Sequence, residues 1–163
     1  MDRRLTMSWT PRRLETPRLI LQPTGEGEAD AASNGEPTAR TGLPNQWRIA
    51  PKHLEQVIGL IGFIRWEPEA GVAEIGFGIV QAMWGQGYMT EACRAVVEYG
   101  FSDMALRRVE ARCQIANPAS ARVLHKLGMR REAMVRGRVH SKAPEEDFWL
   151  YAIERGVGDE ADR

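Results

Sequence analysis

Two glycines one residue apart, Gly85 and Gly87, stand where a strand-like apolar run gives way to a helix-like one. The segment reads EIGFGIVQAMWGQGYMTE over residues 74–91. A turn that opens a helix presents backbone N–H groups without intrahelical partners at the positive end of the helix dipole. Such an end binds phosphate or pyrophosphate, and glycine lets the backbone come close to the anion. A P-loop would need Lys followed by Ser or Thr after its last glycine, and none follows here. A dinucleotide fingerprint would need a third glycine where Thr90 stands. The loop therefore predicts a site for a phosphate-bearing cofactor whose identity these glycines alone leave open.

Other reactive side chains are sparse. Cys93 and Cys113 lie in runs of regular structure, have no metal-ligand spacing, and read as two buried, reduced thiols. His53, His125 and His140 show neither metal spacing nor a Ser-His-Asp arrangement, and His125, beside Lys126, reads as a surface residue. The sequence thus assigns no metal site and no base-paired nucleophile.

The elements that must hold the glycine loop follow from periodicity. Residues 14–22 (LETPRLILQ) alternate like a first strand, and residues 23–46 are polar and read as loop or weak helix. From Trp47 the apolar pattern returns. Residues 57–66 and 72–80 predict two strands of a hairpin around a turn at 67–71. Residues 90–104 place Ala92, Ala95, Val96 and Tyr99 at helical spacing. Residues 108–116 alternate, with Val109, Ala111, Cys113 and Ile115 on one face and Glu110, Arg112 and Gln114 on the other. Asn117-Pro118 opens a short helix that Gly128 ends. Residues 129–140 and 147–153 close the chain as strands, and Trp149 and Tyr151 read as residues that pack the sheet or shape a pocket. Strands and helices alternate at the centre, which implies an α/β or α+β sandwich around one mixed sheet.

The 163 residues predict one domain over 14–155, with flexible termini at 1–13 and 156–163. Lys+Arg and Asp+Glu both number 22, so the chain lacks the basic excess of a nucleic-acid binder. The basic N-terminus has no apolar core of a secretory signal, and no apolar run is long enough for a bilayer. These features predict a cytoplasmic protein with neither nucleic-acid nor membrane partners.

The glycine segment resembles motif A of the GNAT acyltransferase superfamily, and W-G-Q-G-Y-M-T-E-A looks most like its ribosomal-protein N-terminal acetyltransferase (RimJ/RimL-type) branch. LETPRLIL at 14–21, VIGLIGF at 57–63 and NPASARVLHKLGM at 117–129 resemble the opening strand, an inner strand and the motif B helix of that branch. The resemblance implies a GNAT fold, whose mostly antiparallel sheet splays at its middle between flanking helices. It implies acetyl-CoA as co-substrate and a primary amine as acceptor, either a protein N-terminus or a small molecule. The pyrophosphate would lie on Trp84, Gly85, Gln86, Gly87, Tyr88, Met89 and Thr90. The pantetheine arm would lie along Ile79, Val80 and Gln81, with Asn117 bonding it or capping its own helix. Glu74 would accept the amine proton through water, unless it is a solvated strand carboxylate. Ser120 would protonate the departing thiolate, unless it is a plain helix hydroxyl. Members of the branch are often dimers, so the resemblance allows a homodimer.

The chain also departs from the pattern. Ala82 stands at the Arg/Gln position of motif A, Met129 follows Gly128 where Phe or Tyr is usual, and Leu124 stands where many members carry a Tyr. Residues 23–46 replace the two helices that cover the acceptor side. These departures sustain a second reading, a non-catalytic acyl-CoA-binding regulatory module. A weaker third reading is a nucleotide-binding protein that uses the same loop for another cofactor.

Overall fold

Alternating apolar and polar residues make most of the chain β-structure, and two amphipathic runs make its helices. The computed structural model describes residues 11–24, 46–138 and 142–156. Its strands are β1 (Leu14–Glu15), β2 (Leu19–Pro23), β3 (Gln46–Pro51), β4 (Gly59–Glu67), β5 (Val72–Ile79), β6 (Arg108–Gln114), β7 (Arg130–Gly137) and β8 (Glu146–Glu154). Helix α1 (Tyr88–Ser102) joins β5 to β6, and α2 (Pro118–Lys126) joins β6 to β7. The eight strands form one sheet in the order β1-β2-β3-β4-β5-β6-β8-β7. Every neighbouring pair is antiparallel except β5 and β6.

The β5–β6 pair shapes the molecule. It is in register only at Val72↔Arg108, Ala73↔Val109 and Glu74↔Glu110. Beyond Glu74 the two strands continue without pairing, β5 staying on β4 and β6 on β8. The sheet therefore opens at its middle, as the family resemblance implied.

Apolar side chains of one sheet face meet the helices. Ala73 and Ile75 of β5, Val109 and Ala111 of β6, Val96 of α1 and Leu124 of α2 belong to a single buried cluster. Arg94 Nη2 on α1 donates to the Lys126 carbonyl at the end of α2 (3.2 Å), tying the helices together where a cation also suits the helix dipole. Tyr151 joins the core and Trp149 packs beside it under the Arg131 guanidinium, so both serve the sheet. Cys93 and Cys113 are both buried free thiols.

Several expectations need correction. Residues 14–22 form a tight hairpin, β1 and β2, instead of one strand. Thr16 N–H donates to the Leu19 carbonyl and Leu19 N–H to Thr16 Oγ1, both at 3.0 Å, around a proline that has no N–H to give. β3, which the sequence reading did not delimit, pairs with both β2 and β4 and buries Trp47 and Ile49. Ile115 is 48% exposed because β6 ends at Gln114 and the chain turns toward α2. The segment read as loop or weak helix falls outside the described residues at 25–45, as do His140 and most of the expected flexible termini (1–13 and 156–163), of which only residues 11–13 and 156 are described. Among the described residues, no helix is long and apolar enough to cross a membrane.

Trp47 anchors the β3 side of the core. It meets Phe63 and Tyr99 edge to face at 6.2 and 5.4 Å, and its Nε1 donates to the Arg12 carbonyl at 2.8 Å. Trp47→Ala is expected to destabilise the fold by about 3–5 kcal/mol in denaturant titration. A loss below about 1 kcal/mol would mean that this wall of the core is not needed.

Candidate active site

The glycine loop is built as its residues require. After Ile79, Gln81–Met83 form a single 3₁₀ turn. Gly85 and Gly87 then take φ of 75° and 79°, a backbone region closed to most side chains. Gly87 caps α1 with no side-chain hydrogen bond, so among the described residues no capping side chain takes up the first-turn N–H groups, which include those of Tyr88, Met89 and Thr90. The loop is fastened from outside by Arg18, in the β1–β2 turn. Arg18 Nη1 donates to the Gln86 carbonyl (2.9 Å), its Nε pairs with Glu91 (3.3 Å), and its guanidinium stacks on Tyr88 (4.4 Å).

A cleft opens over this loop. One wall carries Ile79, Trp84, Gly85, Gly87, Tyr88, Met89 and Thr90. The other is α2, with Ala119, Arg122, Val123 and Lys126, and Asn117 and Ser120 stand at its beginning. Three predicted residues shape the turn and do not line the cleft. Val80 N–H donates to the Ile58 carbonyl, Gln81 starts the 3₁₀ turn, and Gln86 gives its carbonyl to Arg18. The Ile79 carbonyl is taken by the Trp84 indole N–H at 3.0 Å. Asn117 caps α2, its Oδ1 accepting from Ser120 N–H at 3.1 Å.

A second cleft lies on the other side of the opening. Its lining includes Arg65, Glu74, Phe77, Arg112, Arg138 and Phe148. Phe77, Gln114, Asn117 and Ser120 line both clefts, which therefore meet where β5 and β6 part. Glu74 is not a solvated strand carboxylate, because it is only 5% exposed. Its Oε1 accepts from Arg112 Nε at 2.7 Å and its Oε2 pairs with Arg65 at 3.6 Å. A carboxylate offers about four lone-pair sites, so a water can still bond it. Arg65 continues to Glu110 (2.7 Å), and Arg108 joins Glu110 to Glu132 and Glu154, so ion pairs cross the sheet from β4 to β8. The hydrogen bond from Arg108 holds the Glu132 carboxyl below its ordinary range. Cys113 also lines the second cleft, but burial pushes its thiol up, away from the thiolate a nucleophile needs.

The sequence reading missed Arg122 and Lys126, although their four-residue spacing put them on one helix face. It also missed Arg18, whose role depends on a loop 68 residues away. It saw Arg112 on the polar face of its strand but not its partner on the neighbouring strand.

Two clefts thus meet through a split sheet, and one of them runs past the N-terminus of α1, an end suited to phosphate. The acetyltransferase (GNAT) domain profile matches residues 2–130, and the chain belongs to that family. It is 31% identical over 168 residues to the uncharacterised N-acetyltransferase YoaA of Bacillus subtilis, covering 86% of this chain and 95% of that protein. It is 31% identical over 98 residues to the ribosomal-protein-serine acetyltransferase of Escherichia coli, covering 60% and 55%, in keeping with the RimJ/RimL-like resemblance. Five further Bacillus relatives are matched over 45–63% of their own lengths. The fold is shared with a solved GNAT-family acetyltransferase from Bacillus anthracis (TM-score 0.72, 24% identity, 88% of this chain and 98% of that one).

Arg122 and Lys126 face the same cleft as the uncapped helix end. Replacing both with Ala is expected to weaken CoA binding about tenfold, ~1.4 kcal/mol, and to reduce its salt dependence, as read by titration calorimetry at two ionic strengths. Unchanged affinity at low salt would show that the two cations do not meet the ligand.

Proposed function

We propose that this chain transfers the acetyl group of acetyl-CoA directly to a primary amine. The observation that carries the reading is the junction at Phe77, Gln114, Asn117 and Ser120, where a phosphate-suited cleft meets a second one through the opened sheet. The first-turn N–H groups of α1 would hold the pyrophosphate, with Arg122 and Lys126 adding charge. The part of β5 next to Ile79 would guide the pantetheine arm toward the opening, with Asn117 beside it.

In the reaction, the amine nitrogen bonds to the thioester carbonyl carbon and the carbon–sulfur bond breaks. The amine must lose a proton and the departing thiolate must gain one. Glu74 would take the first through a water and Ser120 would supply the second. A backbone N–H on the unpaired part of β5 would meet the oxyanion. Direct attack is supported by the raised Cys113 thiol, the cysteine that lines the second cleft. The acceptor would be a protein N-terminus, as the RimJ/RimL-like resemblance implies, or a small amine. A cytoplasmic location follows the same reading, since Cys93 and Cys113 would stay reduced there.

One observation favours the non-catalytic module instead. Leu124, at the position where many members carry a Tyr, is fully buried and can give no proton. Turnover of any amine would overturn that reading.

Calorimetric titration is expected to show binding of acetyl-CoA and CoA but not of ATP or NAD, and mass spectrometry to show acetylation of an amine in a mixed screen. No binding of acetyl-CoA would overturn the proposal. Glu74→Gln is expected to lower kcat/KM by about 10²–10⁴, with CoA affinity unchanged. A full-rate variant would remove Glu74 from proton transfer.

A further inference from the structure

We infer that Arg112 is a specificity residue of the second cleft, and that the acceptor amine carries a carboxylate a few bonds from its nitrogen. This inference rests on the acetyl-transfer reading and names the acceptor class for the same site.

Arg112 is held in place on three sides. Its Nε donates to the buried Glu74 at 2.7 Å, and its guanidinium lies 5.7 Å from the Phe148 ring centre. Gly137 makes room for it, since a Cβ there would come within 2.9 Å of Nη1. Glu74 engages only Nε. Neither terminal nitrogen donates a hydrogen bond to a described residue, and the side chain is 36% exposed at the cleft it lines. A guanidinium fixed by its Nε, with its terminal N–H groups free, is a fork for a carboxylate.

The charges around the cleft point the same way. Arg65, Arg112 and Arg138 line it against one carboxylate, Glu74. Arg65 is also matched by Glu67 and Glu110, and Arg138 by Glu145. Among the described residues Arg112 pairs with Glu74 alone, which it shares with Arg65. A bare ammonium entering this cleft meets cations. An amine that brings its own carboxylate enters without net charge, and the nearby guanidinium groups favour its reactive neutral nitrogen.

Position sets the reach. Arg112 and Gln114 lie on the same face of β6, and Gln114 stands where the clefts meet. Two residues along a strand span about 7 Å, so a carboxylate on Arg112 lies a few bonds from an amine at the junction.

The test compares kcat/KM for acid and amide forms of short amines: glycine with glycinamide, β-alanine with β-alaninamide. In wild type the acid forms are expected to be preferred. Arg112→Gln is expected to lower the acid-to-amide ratio at least tenfold, and Arg112→Lys, which keeps the charge without the fork, to lower it less. Because the ratio is compared between proteins, a general loss of activity in a variant cancels. Equal use of acid and amide by wild type, or the same ratio in wild type and Arg112→Gln, would overturn the inference. If acetyl-CoA binds but no amine of either form is acetylated, the acetyl-transfer reading fails separately. NMR titration of propionate into the CoA-loaded protein then decides the inference. Binding lost in Arg112→Gln supports it, and no binding to wild type overturns it.

Discussion

The site depends on a pairing that stops early. Strands β5 and β6 are parallel neighbours for three residue pairs, Val72↔Arg108 to Glu74↔Glu110, and then separate. Backbone N–H and C=O groups inside a protein need partners, so strands that part in the middle of a sheet leave groups for a ligand to satisfy. Antiparallel pairing on the outer sides, β4 with β5 and β6 with β8, keeps the opening from spreading. Helix α1 spans the gap because a parallel pair needs a long crossover. That connection brings its positive end to the mouth of the opening.

Around that opening the two clefts are made of different material. The cleft over the glycine loop relies on backbone, namely the left-handed Gly85 and Gly87, a helix end without a side-chain cap and a loop clamped by Arg18. The second cleft relies on side chains, with Glu74 between Arg112 and Arg65 and Phe148 beneath Arg112. Buried Glu74 is satisfied only because β4 and β6 each supply a cation across β5. Loss of either partner would leave a buried charge poorly compensated.

The parts of this arrangement visible in the sequence were those with local causes. The glycine turn, the α1 period, the Asn117 cap and the alternation of β6 each arise within a few residues, and all were legible. Hairpin β1–β2 was missed because Pro17 sits inside an otherwise alternating run, so the turn looked like strand. β3 was not delimited because it is short and its apolar residues, Trp47 and Ile49, border a long polar stretch. Glu74 was recognised, but its surroundings were not. Burial and ion pairing depend on residues 9 and 38 positions away, Arg65 and Arg112, which no local pattern connects. Arg122 and Lys126 share a helix face by spacing, but that this face borders the glycine loop depends on how α2 packs, which no local pattern shows.

The contrast between the two clefts bears on how such a protein can diverge. A binding surface written in main-chain geometry changes only when the turn itself is rebuilt, so it tolerates drift in the side chains around it. A surface written in a handful of interlocked side chains can be retuned by one or two substitutions. Because Glu74, Arg65 and Arg112 share partners, those substitutions will act in concert, and a change at one position alters what is permitted at the others. The cleft over the glycine loop is thus the harder of the two to alter, while the cleft around Glu74 is where a new preference can arise.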